Sequence, residues 1–135
     1  MAKRILIVDD HPPTLALIRA VLEAEKYQDL TIREANAGAE ALKTFDRDGP
    51  FDLVLLDVGL PDLDGFTVCR ALRKVDGRVP VVFITAKGEL KDFASGREAG
   101  GDSYLVKPIS RGALRNMVNL FLNVQRATDR KAGEA

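Results

Sequence analysis

A single cysteine, Cys69, is all the thiol chemistry in this 135-residue chain, so no internal disulfide can form. A reduced, cytoplasmic setting fits that usage. Net charge is missing too, because 20 Lys and Arg balance 20 Asp and Glu. Domains whose main task is gripping nucleic acid carry a basic excess, so neither that role nor attachment to a membrane surface is expected. No run approaches the roughly 18 apolar residues of a membrane span. Lys3 and Arg4 are followed by only four apolar residues before Asp9, too few for the apolar region of a secretory signal. The one histidine, His11, is a poor basis for an imidazole metal centre. No glycine lies between Asp9 and Thr14, which removes the Gly-rich turn of a dinucleotide-binding unit. What remains is an ordinary globular composition, 46% hydrophobic and 30% charged, at a length that suits one domain.

What is present is a strand–helix alternation repeated five times. Residues 5–8, 53–56 and 79–84 are short continuous apolar runs, and 31–35 and 104–106 read as two further strands. Helical spacing covers 15–26, 37–45, 66–75 and 89–99. Ser110 is placed to cap a last helix reaching about residue 125, and the polar segment 126–135 reads as a frayed tail or the start of a linker. Strands that are apolar on both faces indicate a parallel sheet covered on both sides by helices. Such α/β folds place their sites outside the carboxyl ends of the strands. Asp9 and Asp10 follow the first strand, Asp57 ends the third, Thr85 follows the fourth and Lys107 follows the fifth.

Three carboxylates brought together repel one another and require a shared proton or a cation. Oxygen donors without imidazole or thiolate suit a hard divalent ion, Mg2+ or Mn2+, which keeps waters that a phosphate can replace. An aspartate can itself be the nucleophile, giving an aspartyl phosphate. Such a transfer needs positioning and charge neutralisation more than covalent help, which Lys107 and Thr85 are suited to supply.

These residues resemble the receiver domain of two-component response regulators. The resemblance is carried by Ile7-Val8-Asp9-Asp10, by Asp57-Val58-Gly59-Leu60-Pro61 with Asp64-Gly65, by Ile84-Thr85-Ala86, and by Ala99-Gly100 through Tyr104-Leu105-Val106-Lys107-Pro108. It covers residues 3–125, nearly the whole chain. It implies a single flavodoxin-like domain over 1–125, with five parallel strands in the order 2-1-3-4-5 and five helices. Asp57 matches the phosphoacceptor, Asp10 the direct metal ligand, Asp9 an acid acting largely through water, and Gly59 the position whose backbone carbonyl meets the metal. Thr85 matches the switch hydroxyl, Tyr104 the aromatic that moves with it, and Lys107 the site lysine, with Lys107-Pro108 commonly a cis bond. The implied donor is a phosphohistidine on a sensor histidine kinase or a histidine phosphotransfer protein. The implied output is an altered face of helix four, strand five and helix five that controls binding of a partner protein. The chain is expected to be a signalling phosphoacceptor whose only activity is its own phosphorylation and dephosphorylation. No output domain is expected after residue 125, so the chain reads either as a stand-alone regulator or as a piece of a larger one.

The remaining features have plainer readings. His11 is expected at the rim of the site, Cys69 in the core, and Asp62 and Asp64 as turn and cap residues rather than ligands. Gly88, Gly96 and Gly100-Gly101 are expected to loosen helix four. In the last helix Leu114, Val118, Phe121 and Leu122 form one stripe, which Met117, Leu120 and Val124 widen to nearly twice the roughly 100° that core packing needs. That width suits either a deeply packed terminal helix or a surface for a partner or a second copy. Phe93, Ala113 and Met117 stand where dimerising winged-helix regulators tend to have charges, so a homodimer through this face would be more apolar. Two other functions fit these residues less well. A phosphatase of the haloacid-dehalogenase type needs Asp-x-Asp after the first strand and a cap segment, and neither is present. A degenerate, phosphate-independent receiver would lack part of the constellation, and none of it is missing.

Overall fold

The computed structural model of the chain describes residues 3–134 except 26, 28 and 87–89, with the side chains of 90–92 and 123–134 also outside the description. Ten elements alternate strictly: β1 Lys3–Val8, α1 Pro12–Ala24, β2 Leu30–Ala35, α2 Gly38–Asp48, β3 Leu53–Asp57, α3 Gly65–Val75, β4 Val81–Ala86, α4 Leu90–Ala99, β5 Ser103–Lys107 and α5 Arg111–Glu134. The five strands are all parallel, in the order β2-β1-β3-β4-β5. This is the α/β architecture expected from the apolar runs.

Strand alternation divides the core into two layers. Leu6, Val8, Val54, Leu56, Val81 and Phe83 face α2 and α3, where Ala41, Phe45, Val68, Cys69 and Leu72 complete one cluster. Ile5, Ile7, Leu53, Leu55, Val82, Ile84 and Leu105 face α1 and α5, where Ile18, Leu22, Leu114, Val118 and Leu122 complete the other. Period-2 strands feed both clusters, so the three central strands are buried on both faces. Cys69 is a buried core residue, as expected.

Several boundaries differ from the sequence reading, each for a local reason. Helix α1 begins three residues early, at Pro12, because proline is preorganised for the first helical turn and its missing N–H has no partner there anyway. Strand β4 begins at Val81, after Pro80 rather than at Val79, and runs on to pair Thr85 with Val106 and Ala86 with Lys107. Thr85 and Lys107 are therefore strand residues rather than followers of strands. Helix α2 gains a turn, to Asp48. Helix α5 does not end near residue 125 in a frayed tail; its backbone stays helical to Glu134, because the polar segment is rich in good helix formers. Gly88, Val124 and the first residue of the expected fourth helix, 89, lie outside the described residues or side chains. Of the residues expected to widen the α5 stripe, Met117 packs half-buried on the α1/α5 core, whereas Leu120 is 55% exposed.

Candidate functional site

The acids meet because β1 and β3 are neighbours in parallel register, with Val8 beside Leu56. Both strands run toward one edge, so Asp9, Asp10 and Asp57 emerge together. One carboxylate oxygen from each lies within 4.8 Å of the others. Asp9 is fully buried, Asp57 is 5% exposed and Asp10 faces solvent. Lys107, at the end of β5, reaches across β4 to place its Nζ 3.1 Å from Asp9 Oδ2 and 3.6 Å from Asp57 Oδ2. The other Asp9 oxygen, Oδ1, accepts a hydrogen bond from the His11 N–H at 2.8 Å. Asp57 Oδ1 accepts one from the Gly59 N–H at 3.2 Å. Asp10, His11, Asp57, Val58, Gly59, Thr85, Ala86 and Lys107 line one open cleft. Every residue that the strand ends were expected to supply is thus in or beside one place. Tyr104 lies apart from it.

The electrostatics of the cluster are unfavourable as it stands. Burial pushes the Asp57 carboxyl above its ordinary range, and the nearby Asp9 charge adds to this; the Gly59 N–H and Lys107 oppose it without prevailing. Among the described residues, three carboxylates face one ammonium. Asp9 Oδ2 is buried and, among the described residues, its close partner is the Lys107 ammonium at 3.1 Å, which forms an ion pair with it. One ammonium shared between two buried carboxylates leaves negative charge uncompensated, which is costly away from water. The all-oxygen donor set and that uncompensated charge together fit a hard divalent ion.

Around the cluster, the loop between Asp57 and α3 is tightly held. Gly65 donates to the Val58 carbonyl at 2.9 Å, and a Cβ on Gly65 would fall 2.9 Å from Val58 Cα. Asp64 caps α3, accepting from the Thr67 N–H at 2.8 Å. Asp62 is also a cap, but of a different helix: it accepts from the Gly38 and Ala39 N–H groups of α2 at 2.6 and 2.9 Å. Those bonds, Ala39's first, hold its carboxyl below the usual carboxylate range. Ser110 caps α5 through the Ala113 N–H at 3.3 Å. The Lys107-Pro108 bond is cis.

Thr85 is buried, and its hydroxyl donates to the Ala86 carbonyl at 3.3 Å. Tyr104 packs between Phe83 and Phe93, at centroid distances of 5.7 and 4.6 Å, and its hydroxyl donates to the Phe93 carbonyl of α4. Gly96 also has a packing role that the sequence did not show. It is buried beneath this ring, and a Cβ there would lie 2.8 Å from Tyr104 Cζ.

The sequence reading missed Arg73. Its guanidinium donates to the Gly100 carbonyl at 2.9 and 2.7 Å and to the Val79 carbonyl at 2.6 Å, and it lies 3.0 Å from Asp102. That tie joins α3 to the starts of β4 and β5. Its only sequence signal is a pair of turns, Asp76-Gly77 and Gly100-Gly101, whose carbonyls need donors.

Comparison with known proteins agrees with this geometry. Residues 5–119 match the response regulator receiver domain family. The chain is 43% identical over 122 residues to the alkaline phosphatase synthesis transcriptional regulatory protein PhoP of Bacillus subtilis, covering 90% of this chain and 49% of that one. It is 35% identical over 132 residues to the transcriptional regulatory protein TrcR of Mycobacterium tuberculosis, covering 98% of this chain and 50% of that one. The chain therefore spans about half the length of these curated relatives. A CheY-like response regulator receiver domain from Methanospirillum hungatei superposes with a TM-score of 0.86 at 28% identity, covering 95% of this chain and 99% of that one. With the fold, the strand-end acids and these relatives in agreement, the chain belongs to the receiver-domain family of two-component response regulators.

Proposed function

We propose that this receiver accepts a phosphoryl group on Asp57 in a reaction that depends on Mg2+ or Mn2+. The observation that carries the reading is the gathering of Asp9, Asp10 and Asp57 oxygens within 4.8 Å of one another, with the Asp57 carboxyl pushed upward by burial and by Asp9. Asp9, Asp10, Asp57 and the Gly59 carbonyl are the groups that would hold the ion. When bound, the ion supplies the positive charge that offsets the carboxylates and the incoming phosphoryl oxygens.

The donor is a phosphohistidine on a sensor histidine kinase or a histidine phosphotransfer protein. An Asp57 carboxylate oxygen attacks phosphorus, the phosphorus–nitrogen bond breaks, and the imidazole leaves to take up a proton. Lys107 stays beside Asp57 as a fixed cation, and Thr85 turns its hydroxyl from the Ala86 carbonyl toward a phosphoryl oxygen. Hydrolysis by water at phosphorus later returns the Asp57 carboxylate and inorganic phosphate.

The output is a population shift. As Thr85 turns inward, Tyr104 leaves its place over Gly96 and gives up the Phe93 carbonyl, which reshapes the face of α4, β5 and α5. That face binds a protein partner in a cytoplasmic setting. A homodimer contact there would start from Val106 and Leu120, 42% and 55% exposed. The test is intact-mass detection of phosphorylation by acetyl phosphate, with and without Mg2+, beside Asp57→Ala. The expected result is a Mg2+-dependent gain of one phosphoryl group that the variant lacks. A gain that survives in the variant means a different acceptor, and no gain in the wild type favours a phosphate-independent module.

A further inference from the structure

Helix α2 has no cap of its own. Its N-cap residue is Ala37, in extended backbone at φ −153° and ψ 158°, with no side-chain oxygen to offer the first N–H groups. A helix end left this way is unsatisfied and carries partial positive charge. The missing acceptor comes from 24 residues away, where the two Asp62 oxygens take the Gly38 and Ala39 N–H groups at 2.6 and 2.9 Å. The fit is two-sided. Gly38 is buried beneath the same loop, and a Cβ there would lie 2.8 Å from Leu63 Cβ and 3.0 Å from Val68 Cγ2. The far side of α2 is anchored in the core by Ala41 and Phe45. The Asp57–Gly65 loop thus has a rigid support at Asp62, besides its contacts at Gly59 and Gly65.

We infer that Asp62 is a positioning residue for the phosphoryl site: seated on the N-terminus of α2, it fixes the loop that sets Gly59 beside Asp57. Asp62 touches neither metal nor phosphoryl group; it acts through the loop backbone. The inference rests on the receiver reading above, because only there does the position of Gly59 matter to chemistry. Groups that orient a metal's ligands without touching the metal affect affinity by about 10–100-fold when removed. Asp64 serves as the internal contrast, since it caps only the helix that it begins.

The test separates loop positioning from helix capping. Asp62→Ala removes both. Ala37→Ser in the Asp62→Ala background returns a local cap to α2, which its extended backbone accepts, but leaves the loop unanchored. Each protein is measured for melting temperature, for Mg2+ affinity by calorimetry, and for labelling rate with acetyl phosphate. The expected result is that Asp62→Ala weakens Mg2+ binding about tenfold, the low end of that range. The double variant should recover the melting temperature but not the Mg2+ affinity or the labelling rate, and Asp62→Asn should fall between wild type and Asp62→Ala. Recovery of all three in the double variant overturns the inference, as does unchanged Mg2+ affinity in Asp62→Ala or Asp62→Asn. A wild type that binds no Mg2+ and takes no label overturns the receiver reading, and this inference with it.

Discussion

The Asp57 carboxyl illustrates how a residue's chemistry is set by its neighbours. Its folded-state pKa is raised, first by burial and then by Asp9. For a carboxyl shifted upward, the contribution to stability is full below the ordinary carboxylate value and is lost as pH rises through the folded value. Without divalent ions, Asp57→Asn should therefore be more stable than wild type at neutral pH. The advantage should vanish in acid, below about pH 4, where both states hold the proton. Thermal melts of the two proteins across pH in chelator check this, and equal melting temperatures at pH 7 would contradict it. Gly96 gives a second prediction at this scale. Gly96→Ala forces a methyl group against the Tyr104 ring, and overpacking of this kind costs about 1–3 kcal/mol. The chain has no tryptophan and two tyrosines, so tyrosine fluorescence reports on Tyr104 together with Tyr27. A variant with wild-type stability and wild-type fluorescence would show that Tyr104 does not occupy the slot over Gly96.

Among the elements, what could be read from the sequence depended on whether the deciding interaction was local. The apolar runs 5–8 and 53–56 revealed β1 and β3 because burial on both faces leaves no polar positions. The strand-end acids could then be placed by the general rule for parallel sheets. Boundaries were missed where proline or weak periodicity misled, at Pro12, Pro80 and the polar end of α5. Two tertiary ties away from the strand ends were missed. Nothing near Asp62 in the sequence says that it caps α2, although the bare Ala37 N-cap implies that some residue must. Arg73 is the other case: it joins α3 to carbonyls at Val79 and Gly100. Arg73→Ala should cost about 1–3 kcal/mol by leaving those partly buried carbonyls unpaired, as measured by urea denaturation. A loss near zero would mean that water replaces the guanidinium.

At the scale of the whole molecule, two core layers hold a rigid sheet, and the chemistry lies at one edge of it. The same substitution should therefore have very different costs in different places. Leu55→Ala, in a fully buried position, should lose about 2–5 kcal/mol. Leu120→Ala, on an exposed part of α5, should stay within about 0.5 kcal/mol of wild type. Equal losses would place Leu120 in the core and remove α5 as a partner surface. The acid cluster is the exception to this stable scaffold, since among the described residues it sets three carboxylates against one ammonium. On the proposed function, this repulsion is held for a phosphoryl transfer to Asp57. The most direct measurement is borohydride reduction of the protein after treatment with acetyl phosphate and Mg2+, followed by peptide mass mapping, because hydride converts an aspartyl phosphate to homoserine. Homoserine at position 57 alone is the predicted result; homoserine at position 9 or 10, or at no position in a protein that has taken up phosphate, would contradict it.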